Sequence, residues 1–164
     1  MKFSIREEAS SDAANVARVI EEAFEQTDEA QLKHLLDQDG KTVLSLVAES
    51  AAGELIGHVL FSRLETPERC LALAPVSVRP DAQSLGVGSG LIRKGLDRLR
   101  HSDWIAVFLL GEPAYYGRFG FSIELAARFD TRYPKDYVQA LAFDESRFAA
   151  LTGSLTYARA FNQI

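Results

Sequence analysis

The sequence predicts a single mixed α/β domain in which helices flank a sheet, and three observations support this. Of the 164 residues, 47% are hydrophobic, which is enough for one buried core. Strand-like and helix-like segments alternate along residues 1–164 without a low-complexity linker or a repeat of fixed period. A strand, a helix and a further strand also follow one another in a spacing that implies a parallel pair joined by a helical crossover.

The first quarter of the chain predicts one strand and two helices. The segment FSIRE alternates like a short strand, and residues 10–12, SSD, are N-cap candidates for an amphipathic helix that continues toward Gln26. A second helix is predicted around Leu32, Leu35 and Leu36.

A β-hairpin is predicted next. The segments TVLSLVAES and LIGHVLFSRL read as two strands, and Gly53 supplies the turn chemistry between them. His58 falls inside the second strand, where we interpret it as a packing or edge residue rather than a catalytic one.

The second half predicts the crossover. CLALAPVSV is a fourth strand, and Pro75 indicates a bulge or the end of regular pairing because proline cannot donate to a ladder. Apolar spacing predicts a helix from Val87 to about Arg100, followed by a buried strand in WIAVFLL, residues 104–110. Further strands are predicted near 137–143 and 154–161.

The charge distribution argues against nucleic acid as a partner. The net charge is −5, whereas phosphate binding normally requires a basic excess. Residues 1–82 carry eight basic and fifteen acidic side chains, while residues 83–164 carry ten and eight. The two halves could therefore face different partners, or the charges could simply form solvated faces.

Membrane, disulfide and metal chemistry have no support in the sequence. No apolar run approaches the ~20 residues that a membrane span needs, and MKFSIREEAS lacks the apolar core of a secretory signal, so we expect a cytoplasmic protein. Cys70 is the only cysteine and is most simply a buried small hydrophobe. One cysteine and three scattered histidines give no metal-ligand spacing.

A glycine-rich loop carries the strongest functional signal. In VSVRPDAQSLGVGSG, glycine occupies residues 86, 88 and 90, where the fourth strand leads into the predicted helix. The loop either binds an anionic ligand through backbone N–H groups or permits close packing of the helix on the sheet. A Walker loop is excluded because Leu91 and Ile92 follow the last glycine, and the spacing of a dinucleotide-binding loop is absent.

These residues resemble the acetyl-CoA signature of the GNAT superfamily of N-acetyltransferases, Gln/Arg-x-x-Gly-x-Gly/Ala, which follows a strand. Gln83, Gly86 and Gly88 match it, and Ser84 departs from it where many members carry a glycine. The segment PAYYGRFGF, residues 113–121, is similar to a second family element, Phe/Tyr-Tyr-x-x-x-Gly-Phe. Within the superfamily, the chain looks most like the YhbS-type branch.

The resemblance implies a GNAT fold, with a mixed, mostly antiparallel sheet whose fourth and fifth strands are parallel and splay apart. It also implies acetyl-CoA as the cosubstrate, without a metal. The pantetheine arm would lie between the splayed strands, and the glycine loop would hold the pyrophosphate. The implied cofactor-binding residues are Val76, Ser77, Val78, Gln83, Ser84, Leu85, Gly86, Val87, Gly88 and Ser89.

The same resemblance implies that Tyr116 is the catalytic general acid. A phenol with a pKa near ~10 stays protonated at pH 7 and can donate to a thiolate whose conjugate acid has a pKa of about 8.5. The alternative for Tyr116 is packing against the sheet, which we assign instead to Tyr115. No carboxylate lies on the fourth strand, and Glu112 is either a base or a helix N-terminal acid.

The implied reaction is acetyl transfer to an amine in a ternary complex. At pH 7 an α-amine is ~14% neutral and a lysine side chain only ~0.04%, so an α-amine is the easier acceptor without a strong base. A cationic acceptor would also suit an acidic border, or these side chains could be a solvated surface: Glu21, Glu22, Glu25, Asp28 and Glu29.

Two other functions remain open at this stage. A non-catalytic acyl-CoA-binding or sensing module could use the same site, and Tyr116 favours the enzyme over it. The glycine spacing disfavours a fragment of a nucleotide-binding oxidoreductase. The resemblance also leaves room for a homodimer.

Overall fold

The strands form one mixed sheet in the computed structural model, which describes residues 2–163. Within those residues the sheet has six strands in the order β1-β2-β3-β4-β5-β6. All neighbouring strands are antiparallel except β4 and β5, which are parallel, so the predicted fold class is confirmed. The strands are β1 (Phe3–Glu7), β2 (Thr42–Ser50), β3 (Leu55–Arg63), β4 (Cys70–Val78), β5 (Ala106–Leu110) and β6 (Val138–Ala142).

Helices cover both faces of the sheet. One long helix packs on one face so closely that a Cβ on Gly95 would lie 2.3 Å from the Phe61 ring. The two helices between β1 and β2 pack on the opposite face, where Ile20 shares a buried cluster with Val47 and Leu36 shares another with Leu60. The helices are α1 (Ala13–Phe24), α2 (Asp28–Gln38), α3 (Val87–Arg100), α4 (Pro113–Tyr116), α5 (Ile123–Ala126) and α6 (Glu145–Ala150).

Asp12 occupies the N-cap position of α1, as predicted, but its side chain makes no capping hydrogen bond there. Residues 10–12 form a short 3-10 turn, and no side chain caps the helix that begins at Ala13. The Asp12 carboxylate instead accepts hydrogen bonds from Arg6, at 2.7 Å, and from the Ala9 amide, also at 2.7 Å. The pKa of Asp12 is lowered, first by the Arg6 hydrogen bond and then by the backbone N–H.

His58 lies in a central strand and is fully buried. Its cross-strand neighbours are Val47 on β2 and Ser77 on β4. The edge position that we considered is therefore wrong, and the packing position is correct.

Cys70 is fully buried at the start of β4, as expected for a small hydrophobe. Burial raises the pKa of its thiol to about 12. Across residues 2–163, no group of three or more His, Cys, Asp or Glu side chains is arranged to hold a metal ion. In the same range, no helix combines the length and apolar character needed to cross a membrane.

The C-terminal segment departs from the sequence prediction. Residues 138–142 form β6 as predicted, but residues 154–161 do not form a strand. Ser154 and Thr156 each make one isolated bridge, and a 3-10 helix follows at Arg159–Asn162. Ala158 and Ala160 are buried in the cluster that contains Leu36 of α2, so packing against a helix replaces strand pairing here.

Candidate functional site

Strands β4 and β5 separate halfway along β4. Their parallel register runs only from Cys70–Ala106 to Ala72–Phe108. Past that point β5 pairs with β6 alone, while β4 continues to pair with β3 as far as Val78. Ala72 is the last residue of β4 that pairs with β5, and Pro75 follows it by three positions. This agrees with the expected end of regular pairing near the proline.

The splay exposes one edge of β4. Arg79 donates its backbone N–H to Ile56 of β3 at 2.9 Å, so the backbone groups of Arg79 and Ser77 face β3. Because successive residues of a strand point their backbone groups to opposite sides, those of Val76 and Val78 face the splay. The Gln83 side chain donates to the Val78 carbonyl at 3.1 Å, in agreement with this orientation.

The loop between β4 and α3 contains two residues with left-handed backbone conformation. Ser84 has φ of 63° and Gly86, which directly precedes α3, has φ of 87°. Alternation between left-handed and ordinary conformations turns successive N–H groups toward one side, which is the geometry of an anion-binding nest. Ser84 therefore occupies a conformation that favours glycine, the residue that many family members carry there.

The three glycines of the loop have three different environments. Gly86 needs its positive φ for the turn and has no neighbour where a Cβ would sit. A Cβ on Gly88 would lie 3.4 Å from the Tyr115 hydroxyl, and one on Gly90 would lie 3.3 Å from Ile5 of β1. The two alternatives for the loop thus apply to different residues, because Gly90 serves packing and Gly88 lines a cavity.

A cavity of about 370 Å³ lies in front of the loop and the N-terminus of α3. The dipole of α3 and its first N–H groups favour an anion at this end of the helix. Three residues predicted to bind cofactor do not line this cavity: Val76, Ser77 and Leu85. Leu85 is exposed, Val76 precedes the cavity-lining Val78 by two residues on β4, and the backbone of Ser77 faces β3. The residues predicted to bind cofactor that line the cavity are Val78, Gln83, Ser84, Gly86, Val87, Gly88 and Ser89.

Tyr115 and Arg118 also line this cavity, and the sequence analysis missed both. The Tyr115 hydroxyl lies 3.5 Å from Ser89 Oγ. Arg118 donates from Nε to the Tyr115 carbonyl at 2.9 Å, and its guanidinium carbon lies 4.6 Å from the centre of the Tyr115 ring. Their i, i+3 spacing in a helical turn was the available signal, because such residues share a face.

Tyr116 lies on α4, packed against the end of β5. A Cβ on Gly111 would lie 2.4 Å from Cε2 of the Tyr116 ring, so this approach requires glycine. The ring stacks edge-on against Tyr115 at 4.9 Å and Phe121 at 6.2 Å. Burial, and then the neighbouring Tyr115, raise the pKa of Tyr116, so its phenol is protonated at neutral pH.

Cavity size alone does not select the site. A cavity of about 660 Å³ lies near the C-terminal end of α3, with Phe119, Leu141 and Phe148 among its lining residues. That cavity lies at the opposite end of α3 from the glycine loop, where the helix dipole disfavours an anion. We therefore assign the candidate site by its N–H donors and by the splayed strand edge.

Comparison with known proteins identifies the family. The sequence profile of the Acetyltransferase (GNAT) family matches residues 5–121. The chain belongs to the GNAT family of acetyltransferases. The match spans β1 through Phe121 and so includes both the glycine loop and α4.

The GNAT relatives cover nearly the whole chain. The chain is 36% identical over 167 residues to the uncharacterized N-acetyltransferase YhbS of Escherichia coli K12, covering 97% of this chain and 98% of the relative. A crystal structure of E. coli YhbS in complex with CoA superposes with a TM-score of 0.91, at 31% identity and with 99% and 93% of the two chains covered. The crystal structure of a GNAT family acetyltransferase from Brucella melitensis in complex with acetyl-CoA superposes with a TM-score of 0.80, at 33% identity and with 98% of each chain covered.

This GNAT chain has no carboxylate or imidazole on β4, whose sequence is CLALAPVSV, and its Cys70 thiol is fully buried. Glu112 directly precedes α4 and is exposed. Its backbone carbonyl accepts from the amides of Tyr115 and Tyr116 at 3.0 Å, whereas its carboxylate makes no capping bond. Glu112 therefore remains a candidate by position only.

Of the five acidic side chains at the end of α1 and the start of α2, four are exposed and Glu29 is half-buried. Glu25 ends α1 in a left-handed conformation, with φ of 56°. Glu29 accepts from the Gln26 amide at 3.0 Å, and among residues 2–163 the five acids of this group form no salt bridge. Their negative charge is therefore not neutralised within the chain. The group comprises Glu21, Glu22, Glu25, Asp28 and Glu29.

Proposed function

We propose that this chain is an N-acetyltransferase that transfers the acetyl group of acetyl-CoA to an amine by direct attack in a ternary complex. The observation that carries the proposal is the combination of a splayed β4 edge with an anion-binding loop at the start of α3. The CoA and acetyl-CoA complexes of the two full-length structural relatives support it. We treat residues 1–164 as one N-acetyltransferase domain.

The residues present fit an acyl-CoA. Backbone groups of Val76 and Val78 face the splay and are suited to the amides of a pantetheine arm, although the Val78 carbonyl also accepts from Gln83. A Cβ on Gly88 would project toward Tyr115 and narrow the cavity in front of the loop, so a bare backbone leaves room for phosphate oxygens. We leave Ser77 out of the contact set because its backbone faces β3.

Arg118 adds a side-chain cation to a site whose other donors are mostly backbone groups. Its Nε is fixed by the Tyr115 carbonyl, and its ring contact with Tyr115 holds the guanidinium plane. Arg118 is exposed and makes no ion pair with any acid among residues 2–163, so its positive charge is free to attract a phosphate. Arg118 therefore extends the proposed site beyond the glycine loop.

Tyr116 acts as the general acid in this proposal. Acetyl-CoA supplies an activated acetyl thioester, and the departing sulfur needs a proton. The Tyr116 phenol is held protonated by burial and donates that proton. The ring is fixed by Gly111 and Phe121, so its hydroxyl is positioned before the substrates bind.

The acceptor class follows from the absence of a base on β4. A weakly basic amine, such as an α-amine, is partly neutral at pH 7 without assistance, whereas a lysine side chain is not. The unneutralised acids on α1 and α2 favour a cationic acceptor over an anionic one. The acceptor is therefore proposed to be a small-molecule or peptide amine of low basicity.

Acetyl-CoA binding is tested first by thermal denaturation. A ligand present at about 100 times its Kd adds ~2.7 kcal/mol to the stability of the folded state, so we expect acetyl-CoA to raise Tm. NAD and ATP serve as controls and should leave Tm unchanged. Stabilisation by NAD without stabilisation by acetyl-CoA would overturn the cofactor assignment.

Catalysis is tested separately by the release of free CoA thiol with a panel of amines and peptide N-termini. We expect release to depend on both protein and amine. Acetyl-CoA binding without amine-dependent release across the panel would favour the second candidate, a non-catalytic acyl-CoA-binding or sensing module. Tyr116 and its raised pKa favour the enzyme.

A further inference from the structure

Three buried polar side chains lie on the face of the sheet that α1 and α2 cover. Phe61 of β3 points to the opposite face, because its ring contacts Gly95 of α3. By strand alternation, His58 and Ser62 point to the α1 and α2 face, and Ser77 joins them as the cross-strand neighbour of His58. His58 and Ser62 are fully buried, and Ser77 is 1% exposed.

His58 ends a chain of hydrogen bonds that begins on α2. Its Nε2 lies 2.9 Å from Ser45 Oγ on β2, and Ser45 Oγ donates to Glu8 Oε1 at 2.5 Å. Lys33 Nζ lies 3.1 Å from the same Glu8 oxygen and 2.6 Å from Asp37 Oδ2. The chain runs from the surface of α2 to the centre of the sheet.

The direction of these bonds fixes the tautomer of His58. Glu8 Oε1 accepts the hydroxyl hydrogen of Ser45 and also contacts the Lys33 ammonium at 3.1 Å, so Glu8 is the acceptor at this end of the chain. Ser45 has a single hydroxyl proton and gives it to Glu8, so Ser45 Oγ must accept from His58 Nε2–H. A neutral imidazole has only one N–H, so His58 Nδ1 is a bare acceptor.

His58 stays neutral over the whole physiological range. Burial, and then the charge of Lys33, lower its pKa to about 3. The Nδ1 lone pair is therefore permanently available as an acceptor. Within residues 2–163, neither His58 Nδ1 nor the hydroxyl of Ser77 has a hydrogen-bond partner.

We propose that one buried water molecule joins Ser77 to His58, accepting a hydrogen bond from Ser77 Oγ and donating one to His58 Nδ1. The two residues are directly opposite on β4 and β3, where Cβ atoms are ~4.5–5.5 Å apart. The Ser77 hydroxyl can donate, His58 Nδ1 can accept, and the two atoms make no hydrogen bond to each other. A bridging water requires such a pair of partners.

The water would connect β4 to the polar chain at a functional position. Ser77 lies between Val76 and Val78, whose backbone edge is free beyond the splay. With the water, a continuous series of hydrogen bonds would run from α2 through β2 and β3 to that stretch of β4. The proposal depends on buried side chains alone, so it stands or falls independently of acetyl transfer.

Nuclear magnetic resonance of the full chain tests the bridge directly. Long-range ¹⁵N–¹H correlations of the imidazole should give a protonated Nε2 and a bare Nδ1, unchanged between pH 8 and 5. Magnetisation transfer should connect a long-lived water to the His58 ring or to Ser77. A protonated Nδ1 would overturn the proposal, and so would a hydrogen-bonded Nδ1 without any water contact, because Ser77 would then donate directly.

Serine variants give a second, independent test. Ser77→Ala removes one partner of the water and should lower Tm. Ser62→Ala is the matched control, because Ser62 is equally buried on the same face but has no histidine beside it. Its cross-strand neighbours are Ala72 on β4 and Thr42 on β2, and the Thr42 hydroxyl donates to Asp37 at 2.6 Å. Ser62→Ala should leave Tm unchanged or raise it. If Ser77→Ala behaves like Ser62→Ala and the water contact is absent, the proposal is wrong.

Discussion

The hydroxyl oxygen of Tyr115 lies 3.4 Å from the point that a Cβ on Gly88 would occupy. This is an ordinary contact distance, so the fold itself can accept a side chain at Gly88. Gly88 also lies within α3 and has no positive φ, in contrast to Gly86. Any requirement for glycine at residue 88 must therefore come from a ligand.

Gly88→Val should remove acetyl-CoA binding and leave the fold intact. The branched side chain would fill the space between the loop and Tyr115, so we expect affinity to fall at least ~10-fold, or about 1.4 kcal/mol. Isothermal titration measures the affinity, and circular dichroism checks the fold. Gly117→Ala is the control, because a Cβ there meets no atom within 4 Å. Normal affinity in folded Gly88→Val would mean that the ligand does not approach residue 88.

Arg118→Gln should weaken acetyl-CoA binding and reduce its dependence on salt. A hydrogen bond to a charged group contributes ~1.5–3 kcal/mol, which corresponds to a loss of about 10- to 150-fold in affinity. Arg98→Gln is the control, because it makes the same change of charge outside the cavity. Arg98 lies on α3 and pairs with Glu7 at 2.8 Å. Equal affinities and salt slopes in the two variants would exclude Arg118 from the site.

Tyr116→Phe should lower kcat and leave the KM for acetyl-CoA nearly unchanged, given an acceptor that the wild type uses. Loss of a positioned general acid costs ~10²–10⁴ in rate. An acyl donor with a better leaving thiol should reduce the defect, because it needs no proton. Tyr115→Phe is the matched control, and we expect it to affect binding more than kcat. If chemistry limits turnover and kcat is the same in wild type and Tyr116→Phe, the general acid is another group.

Ser84→Gly should stabilise the fold. Ser84 has φ of 63°, a left-handed conformation that costs a residue with a Cβ roughly 1–2 kcal/mol. Because glycine also loses more backbone entropy on folding, the expected net gain is about 0.5–1 kcal/mol. Urea denaturation measures it. Ser146→Gly, within α6, should instead destabilise the protein, and destabilisation in both variants would contradict the strain at Ser84.

Acid should destabilise the protein partly through His58. Its pKa is about 3 in the folded state and near 6.5 when unfolded, so the unfolded state binds the extra proton between these values. Stability is therefore fully present above pH 6.5 and declines as the pH falls toward 3, by up to ~1.4 kcal/mol per pH unit. Urea titrations from pH 7 to 4.5 measure this slope.

His58→Asn should flatten that slope relative to wild type. Asp12 also has a lowered pKa, so it too makes stability fall with pH, but at lower pH than His58. Because Asp12 is present in both proteins, the comparison isolates the contribution of His58. His101→Asn is the control, since His101 is exposed. An identical slope in wild type and His58→Asn would show that His58 does not titrate on unfolding.

Local sequence patterns were sufficient for most of the fold. Strand alternation located β1, the two runs joined at Gly53 located β2 and β3, and Pro75 lies within three residues of the point where β4 leaves β5. The failure at residues 154–161 has a physical cause, because Ala158 and Ala160 pack under α2 instead of pairing in the sheet. That contact joins segments more than a hundred residues apart, which no local pattern records.

The site was predictable where the backbone determines it. The glycine spacing located the anion-binding loop, but the sequence analysis assigned Tyr115 to packing and only Tyr116 to the site. Tyr115 packs on the core and also lines the cavity, while the Tyr116 ring packs against Gly111 and Phe121. The polar chain of His58 was equally invisible, since its partners Ser45 and Glu8 lie on other strands or beside them.

The free edge of β4 also has a consequence for solubility. Past Ala72 the strand has a partner on one side only, and an open strand edge can pair with any extended chain, including another copy of itself. A ligand that runs along Val76 and Val78 would act as a cap on that edge. Purification with excess CoA should therefore suppress aggregation of this protein, whereas exhaustive dialysis should promote it.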